Sequence, residues 1–342
     1  MQKDDTGSLA PKPGFFTERI FMLEELVRAE MPTFDVVEYS PLLDSSCFTP
    51  DDWKNVATDI GAAYDRYKGF VVCMGTDTMA YAASALSFML ENLGKPVVFT
   101  GSQIPFVEAY NDARRNVCLF FSDRLLRGNR ACKMHATGLQ AFESPNFPPL
   151  ATLDVHVQYR RELALPRPAA PLRLHTHMDS HIIALKLIPG FDDEALLSLV
   201  SHSMTLKAIV LLAYGTGNSP NRREGFLQFV RLARQRCILI VAITQCPQGG
   251  VSLDTYAVGK HLKGLGVVSG GDMTTEAAVT KLAFLFSAHS DVDSVAAAMA
   301  ADLRGELSAR PALSHVELVS RARGRGGGLM TRAAAASIAS KL

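Results

Sequence analysis

Residues 69–100 read GFVVCMGTDTMAYAASALSFMLENLGKPVVFT, and this stretch decides the fold class. Gly69 to Met74 is a short, unbroken apolar run, the pattern of a strand buried on both faces of a parallel sheet. Gly75-Thr76-Asp77-Thr78 follows, then a helical pattern through Leu93, with Gly94 to close it and Pro96 just beyond. Val97 to Thr100 reads as the next strand. Strand, helix and strand in this order predict an α/β domain built on a parallel sheet.

The same reading extends in both directions. Upstream, Thr49-Pro50-Asp51-Asp52 is a helix start: Thr49 can cap, Pro50 suits the first helical position, and two Asp residues favour the positive end of the helix dipole. Trp53, Val56, Ile60 and Ala63 then recur at helical spacing, which predicts a helix to about Arg66. Downstream, ALPRPAAP at residues 164–171 is a linker signature. Beyond it His181 to Leu187, Ala208 to Leu212 and Ile238 to Ile243 read as strands separated by helical patterns. Asp272-Met273-Thr274-Thr275-Glu276 offers caps for a helix through Phe286. The chain therefore divides into a larger N-terminal domain (1–163) with a mainly parallel sheet flanked by helices, a linker (164–180), a smaller C-terminal α/β domain (181–310) and a tail (311–342). The tail's Arg321 to Gly328 run, RARGRGGG, predicts disorder, with an RNA contact as the weaker alternative.

The 342 residues carry 35 basic and 34 acidic side chains, a formal net charge of +1, with 48% hydrophobic and 20% charged residues. Such a balance is that of an ordinary globular protein and gives no electrostatic reason to expect nucleic acid or an anionic membrane as partner. Neither a secretory leader nor a bilayer-spanning stretch is evident. The six cysteines, Cys47, Cys73, Cys118, Cys132, Cys237 and Cys246, lack metal or redox spacing and read as buried free thiols of a cytoplasmic protein. His175, His177 and His181 adjoin the linker and are not read as metal ligands. With no P-loop or Gly-x-Gly-x-x-Gly, no cofactor is implied.

Gly75 to Thr78 is the place to look for chemistry. Ligands bind at the carboxyl ends of strands in open parallel sheets, and a helix N-terminus offers free N–H groups to an oxyanion. Thr76 could attack a carbonyl once a base takes its proton. The plainer reading is that Thr76, Asp77 and Thr78 only cap the helix, and the tetrapeptide alone favours it.

The longer stretch from Gly69 to Pro105 resembles the second signature of the asparaginase/glutaminase family. Pro41-Leu42-Leu43-Asp44-Ser45-Ser46 is similar to that family's substrate loop, and Arg127 to Lys133 to the segment bearing its catalytic lysine. Ser144-Pro145-Asn146 matches the cytoplasmic, type I bacterial branch. Tyr214 to Asn218, Thr244 to Cys246 and Gly270 to Thr274 continue the match, which covers about residues 20 to 310. The resemblance implies hydrolysis of L-asparagine to L-aspartate and ammonia through a threonine nucleophile and an acyl-enzyme. Lys133 would take the proton of Thr76, which near neutral pH requires desolvation of the amine. Asp77 would bind the substrate's α-amino group, Ser45 its α-carboxylate, and Asp44 and Ser46 would support the loop. A homodimer or homotetramer is implied, with Asn218 reaching a neighbour's site and a regulatory site near Thr244 to Cys246. From the residues alone, Lys133 reads as a surface lysine and Asp44-Ser45-Ser46 as an Asx turn.

The chain departs from the family pattern in two places. The family's first strand with its Thr-Gly-Gly-Thr motif, where the attacking threonine is usually assigned, has no match; Met1-Gln2-Lys3 aligns just after it, with Ser8 near the family's loop aromatic and Thr6 no clear substitute. A helix and turn of roughly 15 residues, within the usual range of helix lengths, is also missing after Asn116, so Val117 to Phe121 is expected to pair differently or the topology to change. If the sequence is complete as given, these departures predict little or no asparaginase activity. They keep two alternatives open: an impaired asparagine-binding homologue, and an amidotransferase subunit that releases ammonia from glutamine.

Overall fold

The structure is a computed structural model, and it describes residues 2–3, 9–10, 13–23, 26, 31–101 and 116–308. Thr6, Ser8, the tail at 311–342 and its Arg-Gly run lie outside the described residues.

The first long helix, α1 (Pro50–Ala63), starts where the caps place it. Asp52 accepts from both the backbone N–H and the hydroxyl of Thr49, each at 2.7 Å, and Val56, Ala57 and Ile60 are buried. Strand β1 (Phe70–Cys73), helix α2 (Met79–Met89) and strand β2 (Val97–Thr100) follow as predicted. Helix α2 nevertheless stops short of Gly94. Leu90–Glu91 leaves the helix to pair antiparallel with Arg173–Leu174 of the proline-rich linker, and Asn92 takes a left-handed φ of 60°. Leu174 in turn fills the space over Gly61 of α1, where a Cβ would lie 2.3 Å from its Cδ1.

Strand β3 (Val117–Phe121) pairs parallel to β2, so the expected change of topology does not occur. Residues 101–116 connect the two strands, enough for a parallel crossover of about a dozen residues. The sheet then reverses. Strand β4 (Arg124–Arg127) returns antiparallel from the tight turn at Ser122-Asp123, where Ser122 takes a φ of 57°. Strands β5 (Cys132–Lys133) and β6 (Phe142–Glu143) form a separate two-stranded ribbon. Strands β7 (Ala151–Leu153) and β8 (Val157–Tyr159) complete the six-stranded order β8-β7-β4-β3-β2-β1. The N-terminal sheet is thus mixed, with its parallel half ending at β1. Expected to be buried on both faces, β1 is instead the edge strand among the described residues, with Val71 65% exposed.

The C-terminal sheet is wholly parallel: β9 (Ile182–Lys186), β10 (Ala208–Ala213), β11 (Leu239–Thr244) and β12 (Val268–Ser269). Helices α3 (Asp193–His202), α4 (Glu224–Gln235), α5 (Ala257–Gly264), α6 (Thr275–Ala288) and α7 (Val292–Met299) accompany it. Thr274 caps α6 by accepting from the N–H of Ala277 at 3.1 Å. α6 also joins the two domains by packing on α2. Ser84 and Thr280 share a buried hydrogen bond of 2.7 Å, and Phe88 stacks on Phe284 with centroids 5.8 Å apart. One apolar cluster consequently runs through both domains.

The thiols correct the sequence reading: all six cysteines are free, but only Cys118 is buried, while Cys47, Cys73, Cys237 and Cys246 are exposed. No helix among the described residues is long and apolar enough to cross a membrane.

Candidate active site

The site forms where β1 gives way to α2. Past the end of β1, Met74 donates its N–H to the carbonyl of Thr100 at 3.0 Å, and the chain turns at Gly75 to bring Thr76, only 8% exposed, under the helix start. Thr78 occupies the cap position but makes no capping bond. Its hydroxyl donates instead to the carbonyl of Ser45 at 2.6 Å, so the cap-only reading of the tetrapeptide fails.

The Asp44-Ser45-Ser46 loop is docked onto this corner. The Asx turn is real: Asp44 Oδ1 accepts from the Ser46 N–H at 2.9 Å and from its hydroxyl at 2.8 Å. The backbone bond and then the hydroxyl bond hold the Asp44 carboxyl below its ordinary pKa. Ser45, 2% exposed, accepts the Asp77 N–H on its Oγ at 3.2 Å. Gly75 permits this approach, since a Cβ there would stand 2.5 Å from Ser45 Oγ. The sequence reading placed Gly75 in this turn without assigning it the role, although a glycine at a strand-to-helix turn is the signal that another backbone comes close.

Lys133 arrives from the β5–β6 ribbon. Its Nζ donates to Thr76 Oγ1 at 2.8 Å and to Asp77 Oδ1 at 2.6 Å. The side chain is 18% exposed, against 61% for Asp77, so Lys133 is not a solvated surface lysine. As an ammonium it spends two of its three donors on these partners; as a free amine it has one lone pair, and the Thr76 hydroxyl lies within its reach. The exposed side of Asp77 leaves a carboxylate open to a small cation, beside the N-terminus of α2.

Asp44, Ser45, Ser46, Thr76, Asp77 and Lys133 thus converge. Asn218 does not join them. It is exposed, in a turn of the C-terminal domain closed by its backbone bonds to Tyr214 at 2.8 and 2.9 Å, and among the described residues it makes no hydrogen bond to Thr76, Asp77 or Lys133. The histidines near the linker are engaged separately: His175 lies 2.6 Å from Glu91 and His181 2.7 Å from Asp179. The described residues contain no cluster of three metal-ligating side chains.

Residues 1–118 and 114–165 match the N-terminal asparaginase domain family, and residues 181–299 match the C-terminal glutaminase/asparaginase domain family. This chain is a member of the asparaginase family. It is 42% identical over 323 residues to L-asparaginase 1 of Escherichia coli (strain K12), covering 90% of this chain and 94% of that protein. Its structure resembles the crystal structure of L-asparaginase I from Vibrio cholerae O1 biovar eltor, with a TM-score of 0.81 and 40% identity, covering 90% and 95% of the two chains. The thermostable L-asparaginase from Thermococcus kodakarensis is similar at a TM-score of 0.77 and 31% identity, covering 90% and 96%. In this asparaginase-family chain the Thr76, Asp77 and Lys133 cluster lies within the N-terminal match.

Proposed function

We propose that this chain is an L-asparagine amidohydrolase, releasing L-aspartate and ammonia at Thr76. One observation carries the reading: the amine of Lys133 lies 2.8 Å from the hydroxyl of Thr76, a residue 57 positions away. With Lys133 as the free amine, it accepts the hydroxyl proton as Thr76 Oγ1 bonds to the side-chain carbonyl carbon of asparagine. The proton then passes to the departing nitrogen, the C–N bond breaks, and ammonia leaves. Water, deprotonated by Lys133, opens the resulting ester and returns the proton to Thr76. Asp77 holds the α-ammonium of the substrate, and the Ser45 corner at the start of α2 holds its α-carboxylate. Similarity to L-asparaginases of bacterial and archaeal organisms supports the choice of substrate. The type I relationship supports a cytoplasmic location and a homodimer or homotetramer, with Asn218 exposed for a neighbour.

The test is ammonia release from asparagine by the 342-residue chain. Thr76→Ala and Lys133→Met should each lower kcat by about 10²- to 10⁴-fold. A second reading, asparagine binding without turnover, takes its support from the Asp77 carboxylate, 61% exposed, beside the docked Ser45 loop, a pair that can hold an amino acid whether or not Thr76 reacts. Calorimetric binding of asparagine with no ammonia released would establish that reading instead. If neither is seen, both fall.

A further inference from the structure

Three residues before Lys133, Arg130 is only 2% exposed. Its guanidinium sits in the seam between the domains, gripped by residues 302–308, a strap that follows α7. Nε donates to the Gly305 carbonyl at 2.8 Å and Nη2 to the Ser308 hydroxyl at 3.0 Å. Nη1 stands 3.1 Å from Oδ2 of Asp272, itself 3% exposed.

Asp272 is the node of this clasp. Its other carboxylate oxygen accepts the Ser308 N–H at 2.9 Å, and its carbonyl accepts from Asn146 Nδ2 at 3.0 Å. The remaining amide oxygen of Asn146 accepts the Gly249 N–H at 2.8 Å, a second tie across the seam. The strap is fixed at its own end by Glu306, whose carboxylate lies 2.6 Å from Lys281 Nζ with both side chains 0% exposed. Arg127 lies alongside, donating to Gly305 at 2.9 Å, and the Phe147 ring lies 4.2 and 5.2 Å from the two guanidinium carbons.

Such an investment of buried charge is weak evidence for stability alone; its best-attested use is to fix one arrangement among several. The arrangement in question is that of the reactive amine. Lys133 belongs to a ribbon whose β5–β6 ladder is two residues long, and that ribbon belongs to neither larger sheet. On its N-terminal side the backbone is anchored by Arg130, and nothing between the two is longer than Ala131-Cys132. We propose that the Arg130–Asp272 pair and the 302–308 strap are a positioning device for Lys133, through which the C-terminal domain sets the distance between its amine and Thr76. The inference rests on the Lys133–Thr76 chemistry proposed above. Arg130 and Asp272 are positioning residues; neither touches Thr76.

The test uses the full chain with Asp272→Asn, which keeps the shape but leaves Arg130 unpaired, and Ser308→Ala, which removes one acceptor from Arg130. Circular dichroism and a thermal melt establish the folded fraction. Two readouts follow: kcat and KM for asparagine per folded molecule, and trace acetylation of Lys133 relative to the exposed Lys263, read by mass spectrometry. A positioning role lowers kcat by roughly tenfold or more in Asp272→Asn and less in Ser308→Ala, with KM within about twofold. It also raises the relative acetylation of Lys133. A purely structural role changes the melt and leaves kcat per folded molecule and Lys133 labelling at the parent values, which overturns the inference. Should Asp272→Asn not fold, Ser308→Ala decides by the same two readouts. Should the parent release no ammonia, the hydrolase reading falls and the labelling alone decides: raised labelling keeps the positioning role, unchanged labelling ends it.

Discussion

Replacing Gly75 by alanine tests the corner to which we assign the substrate's α-carboxylate. Gly75 does not take a left-handed φ, so alanine carries no backbone penalty there and the effect is one of contact alone. The new Cβ would lie 2.5 Å from Ser45 Oγ and 2.9 Å from Ser45 Cβ, where ordinary contact begins at 3.4 Å. Ser45 must therefore retreat by about 0.9 Å. At 2% exposure it has no solvent to retreat into, and its movement drags on the bonds it receives from Asp77 and Thr78. A displacement near 1 Å in a positioned reaction costs up to about 100-fold in rate, or roughly 2.7 kcal/mol. Ammonia release as a function of asparagine concentration should show kcat/KM for Gly75→Ala down by that order, with KM raised because Ser45 is the proposed carboxylate anchor. Gly264→Ala is the control, since a Cβ there meets nothing within 4 Å. Gly75→Ala activity within twofold of the parent would refute the assignment of Ser45 as part of the working site.

Two further outcomes follow from the buried charges. Lys281→Met strands the Glu306 carboxylate in a fully buried position and should cost about 3–5 kcal/mol in denaturant unfolding, whereas Lys281→Met combined with Glu306→Gln, which removes the charge and keeps an acceptor for the Leu303 and Arg304 N–H groups, should recover part of it; a loss below about 1 kcal/mol for the single variant contradicts the pairing. Acid should weaken the fold through Asp272 and Glu306. For Asp272 burial pushes the carboxyl up, but the Ser308 bonds and the charge of Arg130 outweigh it and hold the pKa below 3.8. For Glu306 burial again pushes up, and Lys281 with the N–H groups of Leu303 and Arg304 brings the net value below 4.5. Burial also lowers Lys281 itself, but the three donors converging on Glu306 make its ionised form the one the structure supports. Both carboxyls titrate lower folded than unfolded, so their stabilisation is complete above the unfolded values and is lost as pH falls through the folded ones. The melting temperature should hold near neutrality and drop below about pH 4; a melt that is flat from pH 6 to 3 would contradict this.

The elements that carry local signals were legible. Thr49 and Asp52 announce α1, and the run from Gly69 to Thr100 gives β1, α2 and β2 in order, because each rests on periodicity and caps within a few residues. Long-range pairings were not. That β1 lies at an edge depends on which strands lie beside it, and its own apolar residues cannot say. The reversal at Ser122-Asp123 has no glycine to mark it, since Ser122 itself takes the left-handed conformation. Helix α2 ends early because of a linker segment more than 80 residues downstream. At the site, Lys133 was identifiable only by resemblance, because nothing local distinguishes it from a surface lysine. Arg130 escaped notice for a related reason. An arginine in RGNRACK reads as solvated, and its burial is decided by the Gly305 carbonyl and the Ser308 hydroxyl, supplied from the far end of the described chain.

That separation has a consequence for biosynthesis. Arg130 Nε meets the Gly305 carbonyl 175 positions later, and Arg127 meets the same oxygen across 178. At about 5–20 residues per second, the ribosome delivers that acceptor roughly 10 to 35 seconds after the arginines emerge. Until then the nascent first half holds two guanidinium groups that lack this acceptor, and the clasp beside the lysine hairpin is unfinished. Translation must run almost through the second half before the first can reach its finished state.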